Sequence, residues 1–314
     1  MHFVVLYLPL VVSAVLGGCG PRLSSRVPPA TAVRLFTVSA FAVALATGFN
    51  LFVLALLLLA QLPWLAGVGH WSIAVVHAAD NVPPVVAAAG GIAVIVLDIA
   101  VTVRLIRFGR NLWAAHRACR HLRSDLVVVG DGMADAFALP GGRIVVSTGM
   151  LRALPATERR VLLAHEMSHV RHRHYLYVLV TDLAAAADPL LRPLSRSVRA
   201  AVERWADEDA AASTGDRRLT ARAVARAGLA PASHASGQPG SSPRYWLAAA
   251  APGITSGRVV ARVNALLEPP PAPRRLVSLA VTFVVIVAGL ASLQASDDTD
   301  SVFRRAEAHY HAHS

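Results

Sequence analysis

Residues 157–170 read Thr-Glu-Arg-Arg-Val-Leu-Leu-Ala-His-Glu-Met-Ser-His-Val, with two histidines four positions apart. On an α-helix, side chains four residues apart lie on the same face. His165 and His169 can therefore offer two ring nitrogens to one metal ion. Glu166 is adjacent to His165 and points toward the same pocket. The stretch predicts a metal site on a helix.

The context of these histidines favours a site held in a core over a solvated helix face that happens to carry two histidines. Thr157 is a residue type that favours a helix N-cap, and Pro155 stands just before it. Apolar side chains recur through the stretch and form one face, namely Val161, Leu162, Leu163, Ala164, Met167 and Val170. We therefore expect the metal site to be backed by apolar packing.

This spacing suits hydrolysis of peptide bonds. Zn²⁺ held by two histidines and one further protein ligand keeps a fourth position for water, whose pKa falls toward about 7. A neighbouring carboxylate can take the proton of that water and pass it to the leaving amine. The sequence predicts one Zn²⁺ per chain, with Glu166 as the catalytic base.

The third ligand must come from another segment. Residues 199–211 read Arg-Ala-Ala-Val-Glu-Arg-Trp-Ala-Asp-Glu-Asp-Ala-Ala, in which Glu203 and Asp207 are again four apart. One carboxylate of such a pair can reach the metal while the other orients a ligand histidine. We expect Glu203 to bind the metal and Asp207 to support the site. Glu208 and Asp209 are competing carboxylates that the spacing favours less.

Residues 171–175 offer other histidines. Tyr175 occupies the position at which a His-Glu-x-x-His-x-x-Gly-x-x-His enzyme has its third histidine, so that class is disfavoured. His172 and His174 are available as ligands, but with Arg171 and Arg173 they are expected to form a basic helix end.

The composition indicates a membrane protein. The chain has 314 residues, 55% of them hydrophobic, and a mean hydropathy of +0.51, too apolar for an ordinary soluble domain. The formal charge of +11 comes from arginine without lysine. Because the arginines flank apolar runs and lack interleaved aromatic residues, they predict membrane orientation and no direct binding of nucleic acid. Cys19 and Cys119 do not suggest a disulfide framework.

Apolar runs predict a multi-pass protein of the cell membrane with four transmembrane helices, at about 3–20, 35–62, 85–106 and 276–293. Arginines lie after the third run and before the fourth, which makes these flanks cytoplasmic. We expect a membrane domain over 1–110, a cytoplasmic catalytic domain over 111–275, a short tail over 294–314, and both termini outside.

Two apolar segments allow other interpretations. Residues 16–19, Leu-Gly-Gly-Cys, resemble a lipoprotein cleavage site, but no Lys or Arg precedes the first run, so an uncleaved helix is preferred. The run 175–191 could be a fifth span, yet His169 and Glu203 must meet on one side of the membrane. It is expected to continue the metal-site helix and to lie against the bilayer or the bundle. Asp98 is equally compatible with a bundle contact and with the membrane interface.

The cytoplasmic domain is predicted to contain a small β-sheet. Residues 125–129 and 144–147 are β-branched runs typical of strands, and 138–142 reads as a turn. An edge strand near the metal helix could hold an extended substrate. Residues 228–257 are rich in Pro, Gly, Ser and Ala, which predicts a flexible loop, and 258–267 is predicted to be helical.

Four segments in order resemble the BlaR/MecR-type membrane zinc peptidases and share features with the HtpX and CAAX prenyl protease group. They are 136–149 (Ala-Phe-Ala-Leu-Pro-Gly-Gly-Arg-Ile-Val-Val-Ser-Thr-Gly), 164–174, 203–207 and 262–270. The resemblance implies a mostly helical zincin-like domain with a small sheet between the third and fourth spans. It also implies that His165, His169 and Glu203 bind zinc, that Glu166 is the base, and that Asp207 supports the site.

One departure limits what the resemblance implies. The β-lactam-sensing members carry a penicillin-binding domain after the fourth span, whereas about 20 residues follow Leu293 here. We expect a zinc endopeptidase in the lipid bilayer that cleaves an intracellular protein such as a cytoplasmic repressor. The alternatives are HtpX-like quality control of membrane proteins and a non-enzymatic transducer with structural zinc. The sequence does not specify the oligomeric state.

Overall fold

The computed structural model describes residues 3–79, 84–119, 125–130, 134–139, 142–230, 256–269, 271–272 and 274–313. Within these ranges the chain is mostly helical, with one small sheet. The first half contains α1 (Phe3–Ser24), α2 (Pro29–Leu59), α3 (Pro63–Gly69), α4 (Ile73–Ala79), α5 (Pro84–Cys119), β1 (Leu126–Val129), β2 (Ala136–Leu139) and β3 (Arg143–Ser147). The second half contains α6 (Thr148–Ala153), α7 (Ala156–Arg171), α8 (His174–Ala187), a 3-10 turn (Pro189–Leu191), α9 (Arg192–Thr214), α10 (Arg217–Leu229), α11 (Ser256–Leu267) and α12 (Arg275–His313).

Among the described residues, four helices, α1, α2, α5 and α12, are long and apolar enough to cross a membrane, in the places where the hydropathy predicts spans. Their outward faces are apolar, as shown on α5 by the exposed side chains of Ile92, Ile95, Val96 and Ile99. Asp98 is exposed on the same helix, which does not favour a contact inside the bundle. Helix α12 continues to His313, so residues expected to form a short tail are helical.

Helix α9 connects the apolar helices to the rest of the fold. Its side chains share one buried cluster with α1 and α2, including Phe36, Leu194, Val198 and Trp205. Close approach of α1 requires glycine: a Cβ at Gly17 would lie 2.1 Å from the carbonyl oxygen of Leu190. The helix that is predicted to carry the third ligand is thereby packed directly on two candidate membrane helices.

The predicted sheet is present and has three strands in the order β1-β3-β2. β1 pairs with β3 in parallel, and β2 pairs with β3 antiparallel with Phe137 opposite Val145. The sequence alone does not predict β2 as a strand, because the Pro-Gly-Gly that follows Leu139 favours a turn, which is predicted over 138–142. β2 ends at Leu139, so the start of that predicted turn is wrong. Residues 140 and 141 lie outside the described residues, and the N–H of Gly142 donates to the carbonyl oxygen of Leu139 at 3.2 Å.

Helix α7 carries the predicted metal-binding motif and begins two residues earlier than expected, with Pro155 and not Thr157 at the N-cap. The chain does not continue as one helix into the 175–191 run. Arg173 has a φ of 51°, in the left-handed region, and this residue separates α7 from α8. Helix α8 packs against α2, α5 and α9, which agrees with the expectation that this run lies against the bundle.

The predicted 228–257 loop lies mostly outside the described residues. At its edges, α10 extends to Leu229 and α11 begins at Ser256, so the ends of that stretch are helical. Helix α11 confirms the predicted helix and packs against α10 through Val259 and Leu266. Arg217 fixes the end of α11, because its guanidinium donates to the carbonyl oxygens of Ala265 and Leu266 at 3.0 Å.

Candidate metal centre

Helices α7 and α9 pack side by side and bring three predicted ligands together. The ring nitrogens of His165 and His169 and the carboxylate of Glu203 offer ligand atoms that all lie within 4.8 Å of one another. The two Nε2 atoms are 3.2 Å apart. The Glu203 carboxylate lies 3.6 Å from His165 Nε2 and 3.8 Å from His169 Nε2.

These separations fit zinc. Bonds of about 2.0–2.2 Å to nitrogen and oxygen in a tetrahedral arrangement place ligand atoms roughly 3.3 Å apart. The three observed separations are close to that value. Two imidazoles and one carboxylate form the donor set of catalytic zinc sites, which keep a further position open.

Asp207 lies behind His165, where the sequence places a supporting carboxylate. Nδ1 of His165 lies 3.0 Å from Asp207 Oδ1, so the other ring nitrogen, Nε2, is free to face the metal position. Arg262 from α11 donates two hydrogen bonds of 2.7 Å to Asp207 and lies 3.1 Å from Glu203. The guanidinium thus neutralises both carboxylates and fixes their positions.

The charges of the site follow from these contacts. Burial lowers the pKa of His165, but the adjacent carboxylates of Asp207 and Glu203 outweigh burial and raise it to about 10. Burial lowers the pKa of His169 to about 4, against the attraction of Glu203. Burial would raise the pKa values of Glu203 and Asp207, but Arg262 and His165 hold both below their usual values.

Glu166 is buried, with 7% of its surface exposed. It lines a cleft of about 170 Å³ together with His165, Glu203 and Arg262. Burial raises the pKa of Glu166 to about 7, partly opposed by the charge of His165. A carboxylate with a pKa near neutrality can both accept and release a proton, as the predicted general base must.

His174 lies beside His169 and is not part of a basic helix end. Its Nδ1 is 2.9 Å from Nδ1 of His169, and only 1% of its surface is exposed. Burial lowers the pKa of His174 to about 3, so the ring is neutral. The ring of Trp205 packs 4.8 Å away and covers it. The expectation of a basic end is wrong for His174, because the turn at Arg173 directs this side chain inward.

The competing carboxylates have other partners. Asp209 accepts a hydrogen bond of 2.7 Å from the hydroxyl of Ser168 and lies 2.9 Å from Nε2 of His172. Glu208 forms an ion pair with Arg217. Neither carboxylate belongs to the cluster of potential ligands.

Arg262 is the main residue of the site that the sequence motifs do not predict. It lies on the face of α11 that carries Val259 and Leu266, both buried. A cation on an otherwise apolar helix face indicates a buried carboxylate partner. This signal in the sequence could have pointed to Arg262.

Comparison with known proteins is consistent with this geometry. The family model for peptidase family M48 matches residues 104–187, a range that contains the α7 motif and ends before Glu203. A protease HtpX homolog from Aeropyrum pernix is 38% identical over 71 residues, which are 21% of this chain. The match spans 22% of the length of that relative. No solved structure matches the chain significantly.

Peptidases of family M48 depend on zinc, and the His165, His169 and Glu203 cluster provides suitable donors. The matched domain, the homolog and the four candidate spans agree with one another. Together they show that part of this chain is similar to the peptidases of family M48, and that its described residues include helices suited to crossing a membrane.

Proposed function

We propose that this protein is a membrane-embedded zinc endopeptidase in which His165, His169 and Glu203 bind one zinc ion. The observation that carries the proposal is the meeting of these three ligand groups at one point, with Glu166 on the same helix as the histidines. Asp207 supports His165 in this proposal, and the catalytic domain faces the cytoplasm.

In the proposed mechanism, His165, His169 and Glu203 would hold a zinc ion, which would act as a Lewis acid that polarises the scissile carbonyl and lowers the pKa of water. Glu166 accepts a proton from the attacking water and passes it to the leaving amine. Asp207 holds the His165 ring with Nδ1 toward itself, and His174 contacts His169 from behind. Arg262 keeps the two acidic side chains ionised at the pH of the reaction.

One edge of the sheet offers backbone groups that could hold an extended substrate. The backbone carbonyl oxygen of Asp135 accepts a hydrogen bond of 2.8 Å from the N–H of Ser147 in β3. The backbone hydrogen-bonding groups of Asp135 therefore face β3, and so do those of Phe137 two residues later. By the alternation of an antiparallel pair, Ala136 and Ala138 direct their backbone groups to the other edge of β2. Among the described strands that edge is unpaired. An extended substrate segment can add to it beside Glu166.

The lining and volume of the cleft indicate which substrate side chains it would accept. Met150, Leu154 and Val161 form apolar walls, and Val224 and Val259 close the side formed by α10 and α11. Its volume of about 170 Å³ suits one medium apolar side chain. We expect cleavage next to such a residue, in an intracellular protein.

Two biological roles fit this chemistry. Quality control of membrane proteins is favoured by the similarity to the HtpX homolog. Regulated cleavage of a repressor is favoured by the sequence motifs shared with BlaR/MecR-type peptidases and by the placement of the catalytic segment between the third and fourth candidate spans. A survey of new protein N-termini separates them: one or two regulators indicate signalling, and many membrane-protein fragments indicate quality control.

The decisive test replaces Glu166 by Gln in the full-length protein. The variant should keep one zinc per chain and lose cleavage by about 10²–10⁴-fold, because the ligands remain and the base is lost. Zinc content is measured by elemental analysis, and cleavage is measured by the survey of N-termini in cells carrying each form. Cleavage at the wild-type rate would overturn the mechanism, and zinc without any cleavage in either form would favour a transducer with structural zinc.

A further inference from the structure

A second cavity lies apart from the metal centre, where one end of the apolar part of α5 meets α8 and α9. Its volume is about 440 Å³, within the range of about 300–1,000 Å³ that is common for ligand sites. The polar lining consists mainly of arginines, namely Arg104, Arg107, Arg192, Arg196 and Arg199. Asp182 is the one acidic side chain among the described residues that line it. The cavity therefore carries a large excess of positive charge.

Asp182 cannot balance that charge, because its carboxylate is already occupied. Its Oδ1 accepts a hydrogen bond of 2.8 Å from the hydroxyl of Ser195. Its Oδ2 accepts one of 2.9 Å from Arg104 and forms an ion pair with Arg199. In the part of the chain that the structure describes, Arg107, Arg192 and Arg196 form no ion pair. Three guanidinium groups without an ion pair to a described residue are thus available to a bound anion.

The charges around the cavity favour the binding of an anion. Burial lowers the pKa of Arg199, and the charges of Arg104 and Arg258 lower it further, against the attraction of Asp182. Helix α9 begins at Arg192, so the positive end of its dipole lies at the cavity. Guanidinium groups bind phosphate oxygens in pairs, with a geometry that matches their fork.

The position along α5 indicates which anion is available. Val103, Leu105 and Ile106 are exposed and apolar, and they are followed by Arg107 and Arg110. This change from apolar to basic marks the level of the headgroups for a helix that crosses a bilayer. Basic pockets between helices at that level suit phospholipid headgroups.

We propose that this cavity binds phosphate, supplied by the headgroup of an anionic phospholipid, through Arg107, Arg192 and Arg196. The site is distinct from the metal centre and does not depend on the peptidase activity. A bound headgroup offsets the positive charge at the junction of α5, α8 and α9. Because α9 also carries Glu203, the lipid fixes the helix that provides the third ligand.

The test uses the full-length protein, purified in mild detergent and stripped of lipid. Native mass spectrometry counts the molecules of phosphatidylglycerol or phosphatidylcholine bound, with the same acyl chains in both lipids. The wild type should prefer phosphatidylglycerol, and R192Q/R196Q should weaken that binding roughly tenfold without affecting phosphatidylcholine. Because both arginines are exposed, the variant should unfold at the wild-type temperature. If it does not fold, R192K/R196K, which keeps the charge but not the fork, is compared instead.

The matched control is R218Q/R222Q, which removes the same charge from exposed positions of α10. It should bind phosphatidylglycerol as the wild type does. An equal loss in this control, or no loss in R192Q/R196Q, would overturn the cavity as the site. Binding of inorganic phosphate is measured as a separate arm of the experiment. Suppose that phosphate binds the wild type but not R192Q/R196Q, while the two lipids bind the wild type equally. The site then holds free phosphate, and the proposed lipid source is wrong.

Discussion

Arg262 and Asp207 are joined by two parallel hydrogen bonds of 2.7 Å between helices α11 and α9, although 55 residues separate them in the chain. Asp207 in turn lies 3.0 Å from His165. A chain of contacts therefore runs from α11 to the proposed zinc, through the Arg262 guanidinium, the Asp207 carboxylate and the His165 imidazole. Helix α11 is followed closely by α12, a candidate membrane span. The site is thus tied to the membrane part of the fold through this pair as well as through α9.

Replacing Arg262 by Gln should destabilise the metal-free protein. The Asp207 side chain is 2% exposed, and removal of one partner of a buried ion pair costs about 3–5 kcal/mol. Denaturant unfolding in detergent measures the change in the free energy of unfolding. Arg218→Gln, at an exposed position of α10, is the control and should be nearly neutral. Equal effects of the two substitutions would show that the Arg262–Asp207 pair contributes nothing to stability.

Zinc binding should identify the third ligand. Glu203→Gln should weaken zinc affinity by more than about 100-fold, because it removes a ligand and not merely a supporting contact. Glu208→Gln and Asp209→Asn should change it far less, since these side chains contact Arg217, Ser168 and His172 instead. Competition with a chromophoric chelator gives the affinities. A larger loss for Glu208→Gln or Asp209→Asn than for Glu203→Gln would reassign the ligand.

Zinc uptake should release close to two protons per chain at about pH 8.5, one from His165 and one from the zinc-bound water, whose pKa falls toward about 7. In the metal-free protein, burial lowers the pKa of His165, but Asp207 and Glu203 raise it to about 10, above its ordinary value of 6.5. Protonated His165 therefore stabilises the metal-free fold below about pH 6.5, and this contribution is lost as the pH rises through about 10. Zinc requires the neutral ring, so the proton must leave.

The other groups of the site contribute little at that pH. The pKa of His169 is lowered to about 4 by burial, so the ring is already neutral. Glu166, raised to a pKa of about 7 by burial, is already ionised. Titration calorimetry in buffers of different ionisation enthalpy measures the protons released. The release of only one proton, or of none, would contradict the charge assigned to His165.

The local patterns of the sequence predicted the parts of the site that lie within one helix. His165 and His169 share a face because of the helical period, and Glu203 and Asp207 do so for the same reason. The inward position of His174 was not predicted, because it depends on one left-handed residue, Arg173, between two helices. Such a conformation at a non-glycine residue carries little signal in the sequence.

Features that depend on contacts between distant segments could not be predicted from the sequence, for a related reason. β2 has the short sequence Ala-Phe-Ala-Leu, whose strand character comes from pairing with β3 and not from its own composition. The contact of Arg262 with Asp207 depends on how α11 packs against α9, which no periodicity within either helix specifies. In contrast, the four candidate spans were predictable, because hydropathy over about 20 residues is a local property.

Ala138→Pro should reduce cleavage while leaving zinc binding and stability almost unchanged. Ala138 lies opposite Ile144 in a pair that does not exchange hydrogen bonds, so its N–H faces the unpaired edge of β2. Proline removes that N–H and is tolerated where the donor does not serve the sheet. Loss of one hydrogen bond to an extended substrate should lower kcat/KM roughly tenfold.

Ala138→Ser is the matched control, since it changes the side chain and keeps the N–H. It should cleave at nearly the wild-type rate, and both variants should bind one zinc. A peptide substrate taken from the cleavage survey allows kcat/KM to be measured for all three forms. Equal activity of the proline and serine variants would show that substrate does not add to this edge. Loss of zinc or of thermal stability in the proline variant alone would show instead that the N–H of Ala138 serves the sheet.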